Sequence, residues 1–338
     1  MRILAASLIS VGAARWRRGP LLPTWSFVFE WIVATIRRDW AGLWRRPASA
    51  IRRHHARLVA LSPWLRSVRI ERISADGVPA AWLEPPDPMR DAVLLYLHGG
   101  AFQFGAVETH AGLVAGLASL ANVTALLVEY RLAPEQPYPA APEDVLRAWH
   151  WLVSHHVEPE RIVVAGDSAG GNLCLGLLLA LRERGERLPA AAALISPWVD
   201  LSCASESYLR NAKFDYGTRE MLLAQALAYA GGVRLDDPRI SPLHSALRGL
   251  PPLLVQYGSA ELLCDEAAAF AEKAREAGVA VRLDVLRDMP HDGPLFAGLA
   301  READRSLSNV ARFVREKLEA AAPAYVPAAC GHSPRRAP

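Results

Sequence analysis

The sequence predicts an α/β protein with an eight-stranded, mostly parallel sheet, helices on both faces, and a helical cap. Three observations carry this expectation. From residue 67 onward, short apolar runs alternate with amphipathic helical patterns. Most of those runs are apolar throughout, as strands covered on both faces must be. Two stretches break the rhythm, one at the amino terminus and one between the sixth and seventh runs.

With 338 residues, 51% hydrophobic and 22% charged, the chain is long enough to bury a deep core. That composition excludes a disordered chain, a collagen-like repeat and a disulfide scaffold. A net charge of only +3 argues against general nucleic-acid binding. No apolar run approaches the ~20 residues of a membrane span. Cys174, Cys203, Cys264 and Cys330 have neither C-x-x-C nor metal-ligand spacing. The expectation is therefore no metal, reduced buried thiols and a cytoplasmic location.

Residues 1–60 are expected to form an N-terminal helical cap segment. Within it, residues 3–14 form an apolar stretch like a signal-peptide core, but Arg15, Arg17 and Arg18 follow at once, which argues against a cleaved secretory signal. Pro23-Thr24-Trp25 opens a helical pattern whose broad apolar face holds Trp25, Phe27, Phe29, Trp31, Ile32 and Ile36. Residues 1–60 contain eleven arginines against two acids. A cap packed on its own domain, arginines outward, is the expected reading. The alternative is a basic helix lying on a membrane surface.

Residues 61–321 are expected to form the catalytic domain, and 322–338 a flexible tail. Ser67–Ser74 and Val78–Leu83 alternate as an antiparallel pair. Buried strands follow at Ala92–Leu97, Val123–Glu129, Arg161–Ala165, Ala191–Ile195, Leu253–Tyr257 and Val281–Leu286. Helices are expected over Val107–Leu120, Pro142–His155, Ala169–Glu186, Asp265–Ala277 and Ala297–Ala321. The interval from Ile195 to Leu253 is too long for a plain crossover, so a cap insertion is expected at about residues 198–250.

The chemistry concentrates in Gly166-Asp167-Ser168-Ala169-Gly170, which follows an apolar strand and opens a helix. A tight strand-to-helix turn exposes the Ser168 hydroxyl, and small residues on either side let the backbones approach. No Gly-Lys-Ser/Thr follows, so this is not a phosphate loop. The segment His98-Gly99-Gly100-Ala101-Phe102 also follows a buried strand. N–H groups of Gly99, Gly100 or Ala101, with that of Ala169, are expected to form an oxyanion hole, while His98 shapes the turn.

A serine needs a base. Of ten histidines, His291 alone sits in a loop just after the last strand, at the carboxyl edge where such sheets react. Glu261, just past the seventh strand, is the first candidate for the acid that orients it. Asp265 and Asp200 are rivals. Pocket walls are expected from Phe102 and from the cap aromatics Trp25, Phe29, Trp198 and Phe214, any of which would equally suit a core.

Taken together, the segments His98–Phe102, Tyr130–Glu135, Gly166–Gly171, Asp237–Leu243, Gly249–Pro252 and Met289–His291 make the chain resemble the bacterial hormone-sensitive-lipase family. The resemblance spans roughly residues 20–318. It implies an α/β-hydrolase fold, a helical cap and carboxylic-ester hydrolysis without a cofactor. It also implies Ser168 as nucleophile, His291 as base and Glu261 as acid, acting on a small ester or lactone through an acyl-serine. A deacetylase or amidase, and a lipid esterase at a membrane surface, would use the same three residues. A non-catalytic binding module would not need them, and a homodimer is compatible with the sequence. Two departures stand out. The oxyanion segment reads HGGA rather than HGGG, which preserves the hole if Ala101 has a negative φ. Asp292 follows His291, where its carboxylate would raise the imidazole's pKa or turn it away.

Overall fold

The computed structural model describes residues 2–56, 62–297 and 301–321. The expected tail at 322–338, with Cys330 and His332, lies outside them. Eight strands form one sheet in the order β1-β2-β4-β3-β5-β6-β7-β8. They are β1 (Arg69–Ala75), β2 (Val78–Glu84), β3 (Val93–Leu97), β4 (Thr124–Val128), β5 (Ile162–Asp167), β6 (Ala191–Ile195), β7 (Leu253–Gly258) and β8 (Val281–Leu286). β1 pairs antiparallel with β2, and β2 pairs antiparallel with β4. The other five pairings are parallel.

The reading of uninterrupted apolar runs holds physically. β3, β5, β6 and β7 are buried at every position, because helices cover both faces. On one face α5 (Ala140–Ser154), α6 (Ala169–Glu183) and α9 (Cys264–Glu276) bury Trp149, Leu178 and Phe270. On the other, α4 (Val107–Ala121) and α10 (Arg301–Ala320) bury Val114, Leu117, Leu307 and Phe313. Cys174, Cys203 and Cys264 are buried free thiols.

The N-terminal segment holds three helices, α1 (Arg2–Arg18), α2 (Phe27–Leu43) and α3 (Ala48–Ala56). The first lies inside the segment expected to be helical, but nothing in its pattern marks it as a separate helix. Its apolar residues run nearly uninterrupted, so they carry no 3.6-residue period to read. Ser26 caps α2 by accepting a hydrogen bond from the Phe29 N–H. Trp25, Phe29 and Val33 pack on Met289, two residues from His291. Trp40, Leu43 and Ile51 pack on Met221 of α8 (Arg219–Ala230), in the stretch between β6 and β7. A short helix, α7 (Ser207–Arg210), belongs to the same stretch. The two segments that broke the sequence rhythm thus meet over the carboxyl edge of the sheet. None of the described helices is long and apolar enough to cross a membrane.

Candidate active site

The site begins at the turn from β5 into α6. Ser168 stands at φ 52°, ψ −117°, outside any regular region. Two anchors hold it there. Its N–H donates to the Ile195 carbonyl at 2.8 Å, and its carbonyl accepts from the Trp198 N–H at 3.1 Å. Gly170 is required by packing, since a Cβ there would lie 1.9 Å from the Leu97 carbonyl oxygen. The helix and the end of β3 can therefore touch only through glycine.

His291 arrives from the loop after β8. Its Nε2 lies 2.9 Å from Ser168 Oγ. The close approach of this loop to β7 again depends on a glycine, because a Cβ on Gly258 would sit 2.1 Å from the Met289 carbonyl oxygen. Of the three carboxylates weighed from sequence, Glu261 is the one beside the imidazole, its Oε2 3.8 Å from Nδ1. Glu261 is fully buried; Oε2 accepts from Ser196 Oγ at 2.7 Å and from the Gly258 N–H at 3.1 Å. Nδ1 of His291 and Oε1 of Glu261 have no other partner. Asp265 is instead engaged by Arg210 and the Ser207 N–H, and Asp200 by the Ser202 N–H and His244.

Asp292 takes the opposite side of the ring. Its Oδ2 is 3.2 Å from His291 Nε2, and its Oδ1 has no partner. Burial alone would pull the imidazole down, yet Asp292, Glu261 and Asp215 push it up to about 10. Burial raises Asp292 well above the usual carboxylate range, against the pull of His291.

The oxyanion segment departs from the sequence expectation. Ala101 has φ 51°, not a negative value, and Phe102 follows at φ 59°. Both are left-handed, which strains an L-residue with a Cβ. The turn is nevertheless well anchored, with Gln103 and Phe104 N–H groups both donating to the Gly100 carbonyl at 3.0 Å. The N–H groups of Gly99, Gly100, Ala101 and Ala169 find no acceptor among the described residues. His98 is fully buried, its Nδ1 2.8 Å from the Gly99 carbonyl oxygen and its pKa pushed down to about 3 by burial. A neutral imidazole stacked on Tyr130 suits a shaping role.

The expected pocket aromatics divide. Phe102 and Trp198 have no exposed surface, and Phe102 stacks on Tyr229 with centroids 3.6 Å apart. Both are packed into the core rather than lining an open pocket. Trp25 and Phe29 belong to the packing over Met289, and half-buried Phe214 lies under the Lys213 ammonium.

Three polar groups near the site were missed from sequence. Asp215, from the stretch between β6 and β7, accepts from the Leu262 N–H at 2.7 Å and the His291 N–H at 3.4 Å. Ser196 Oγ links Glu261 to the Asp292 N–H. Asp167, beside the serine, accepts from Tyr96 and faces His110 beneath the turn. Only Asp167 had a local signal, its place inside the glycine-framed pentapeptide. No cluster of metal-ligating side chains occurs among the described residues.

Comparisons with known proteins identify the fold and the family. A family model described as alpha/beta hydrolase fold matches residues 94–294. An esterase of Acinetobacter venetianus is 36% identical over 76% of this chain and 85% of its own. An acetyl-hydrolase of Streptomyces hygroscopicus is 38% identical over 70% and 79%. The crystal structure of an esterase from the bacterial hormone-sensitive lipase family superimposes with a TM-score of 0.81. It is 39% identical and covers 84% of this chain and 96% of that one.

Proposed function

The chain belongs to the hormone-sensitive-lipase-like family of α/β-hydrolases and is a carboxylic ester hydrolase, and we propose that it cleaves short- to medium-chain esters or lactones through an acyl-serine at Ser168. The observation that carries this reading is the 2.9 Å approach of Ser168 Oγ to His291 Nε2. The Glu261 carboxylate on the Nδ1 side supports it.

In the first step Ser168 Oγ attacks the ester carbonyl carbon while Nε2 takes the hydroxyl proton. Glu261 holds the other nitrogen's proton and stabilises the imidazolium. That contact must shorten by roughly 1 Å from the free enzyme, as catalytic hydrogen bonds often do when substrate binds. The carbonyl oxygen, now an anion, sits against the free N–H groups of Gly99, Gly100 or Ala101 and Ala169. One such donor contributes about 3 kcal/mol of barrier reduction. Collapse of the tetrahedral intermediate breaks the bond to the alcohol oxygen, which leaves with the proton from Nε2. Water, deprotonated by the same nitrogen, then attacks the acyl-serine and releases the acid.

The acetyl-hydrolase relative favours the short end of the acyl range. Ser168→Ala tests the reading. Turnover of p-nitrophenyl acetate should fall by about 10⁶-fold with the circular dichroism spectrum unchanged. Retention of a tenth of the activity would place the nucleophile elsewhere.

A further inference from the structure

We propose that α1 is a docking helix that seats this enzyme on an anionic membrane surface. Five of its large apolar side chains face solvent, Ile3 at 39%, Leu4 at 45%, Leu8 at 45%, Ile9 at 73% and Trp16 at 88% exposure. At 100° per residue Leu8, Ile9 and Trp16 share an arc of about 100° with Ala5 and Gly12, and no polar residue interrupts it; Leu4 lies beyond Arg15 at its edge. Such a continuous exposed face on a folded protein marks an interaction site.

The rest of the helix explains why the face stays free. Ser7 and Val11, on the flank turned toward α2, are buried. Arg15 and Arg18 donate to Glu30 of α2, and Arg38 of α2 donates to Ser7 Oγ at 3.2 Å. The helix is thus held by its polar side and presents its aliphatic side outward.

Charge selects the occupant. α1 contains no acidic residue. Arg17, exposed about 80° around the helix from Ile9, has no carboxylate partner among the described residues, and neither has Arg38. Eleven arginines against two acids in residues 1–60 would oppose the meeting of two copies of this surface. An anionic lipid surface is attracted by the same charge. Aliphatic side chains, a tryptophan at the helix end and flanking arginines are what an interfacial helix needs. α1 rests on α2, whose Phe29 and Val33 pack on Met289 beside His291. A docked α1 would bring the covered end of the sheet close to esters dissolved in the lipid.

The test is co-sedimentation of the full chain with vesicles of phosphatidylcholine alone or with about 30% phosphatidylglycerol. The anionic vesicles should bind at least about tenfold more protein, and about 0.5 M salt should release most of it. Leu8→Glu with Ile9→Glu should cut binding by at least about tenfold, and Arg17→Glu by about fivefold. Hydrolysis of soluble p-nitrophenyl acetate should be unchanged in each, which also separates this proposal from the catalytic one. Should the double variant lose activity, Trp16→Glu provides the same comparison. Absence of binding to anionic vesicles overturns the proposal, as does equal binding by the variants or equal binding to neutral vesicles at both salt levels. A concentration-dependent dimer that the double variant abolishes, with no vesicle binding, would assign the face to a second copy.

Discussion

Glu261 and Asp292 approach opposite nitrogens of one imidazole, and their surroundings differ. Glu261 has two donors on its nearer oxygen, the Ser196 hydroxyl and the Gly258 N–H. Asp292 has none among the described residues, where its Oδ2 meets only the imidazole and its Oδ1 meets nothing. A buried carboxylate without donors keeps its full desolvation cost. It can lower that cost by holding a proton or by drawing one onto Nε2. Yet Nε2 must be free of a proton to act as base toward Ser168. The lesson is that position relative to the ring decides the role. A carboxylate at Nδ1 supports the base, and one at Nε2 competes with the serine for it.

The largest effect should come from the Nδ1 side. Glu261→Gln should lower kcat by about 10⁴-fold, as loss of the orienting acid does in related chemistry. Asp265→Asn should leave kcat near wild type, because that carboxylate is engaged with Arg210. The reverse ranking, read in steady-state kinetics, would move the acid to Asp265 and end the comparison.

Next comes Asp292. Against the pull of burial, Asp292, Glu261 and Asp215 hold the His291 imidazole up to about 10, so it gains base character as pH rises. The acid limb of kcat/KM in the wild type should therefore lie well to the alkaline side of 7. Asp292→Asn removes a charge that raises the imidazole, so the limb should move toward lower pH. One unit of movement corresponds to about a tenfold gain at neutral pH. A pH profile of kcat/KM that does not move would show that Asp292 leaves Nε2 alone.

The smallest effect concerns stability. Ala101 is left-handed at φ 51°, so Ala101→Gly should relieve strain worth about 1 kcal/mol. The gain would appear as a higher midpoint in urea, with kcat changed by less than about threefold. A lower midpoint would mean that the Ala101 methyl group contributes more packing than its backbone costs.

Much of the fold was legible because its signals are local. β3 through β7 read as continuous apolar runs, and Gly166–Gly170 placed a serine on a turn between a strand and a helix. The helix α5 begins at Ala140, two residues before the expected Pro142, because proline fits inside a first turn where its missing N–H is not needed. The bounds of α1 were illegible within the expected helical segment because an unbroken apolar run has no period. Asp215 was illegible as a neighbour of His291, since 76 residues separate them and no pattern in either segment refers to the other.

The sequence by itself determined which residues form strands, which turns are tight, and which side chains are candidates for acid, base and nucleophile. These depend on neighbours within a few positions, where backbone sterics and apolar spacing act directly. Only the tertiary structure decided that Ala101 is left-handed, that Asp292 lies beside Nε2, and that the aliphatic side of α1 faces outward. Each depends on how remote segments pack against one another, and packing is settled by the balance of burial over the whole chain rather than by any local run of residues.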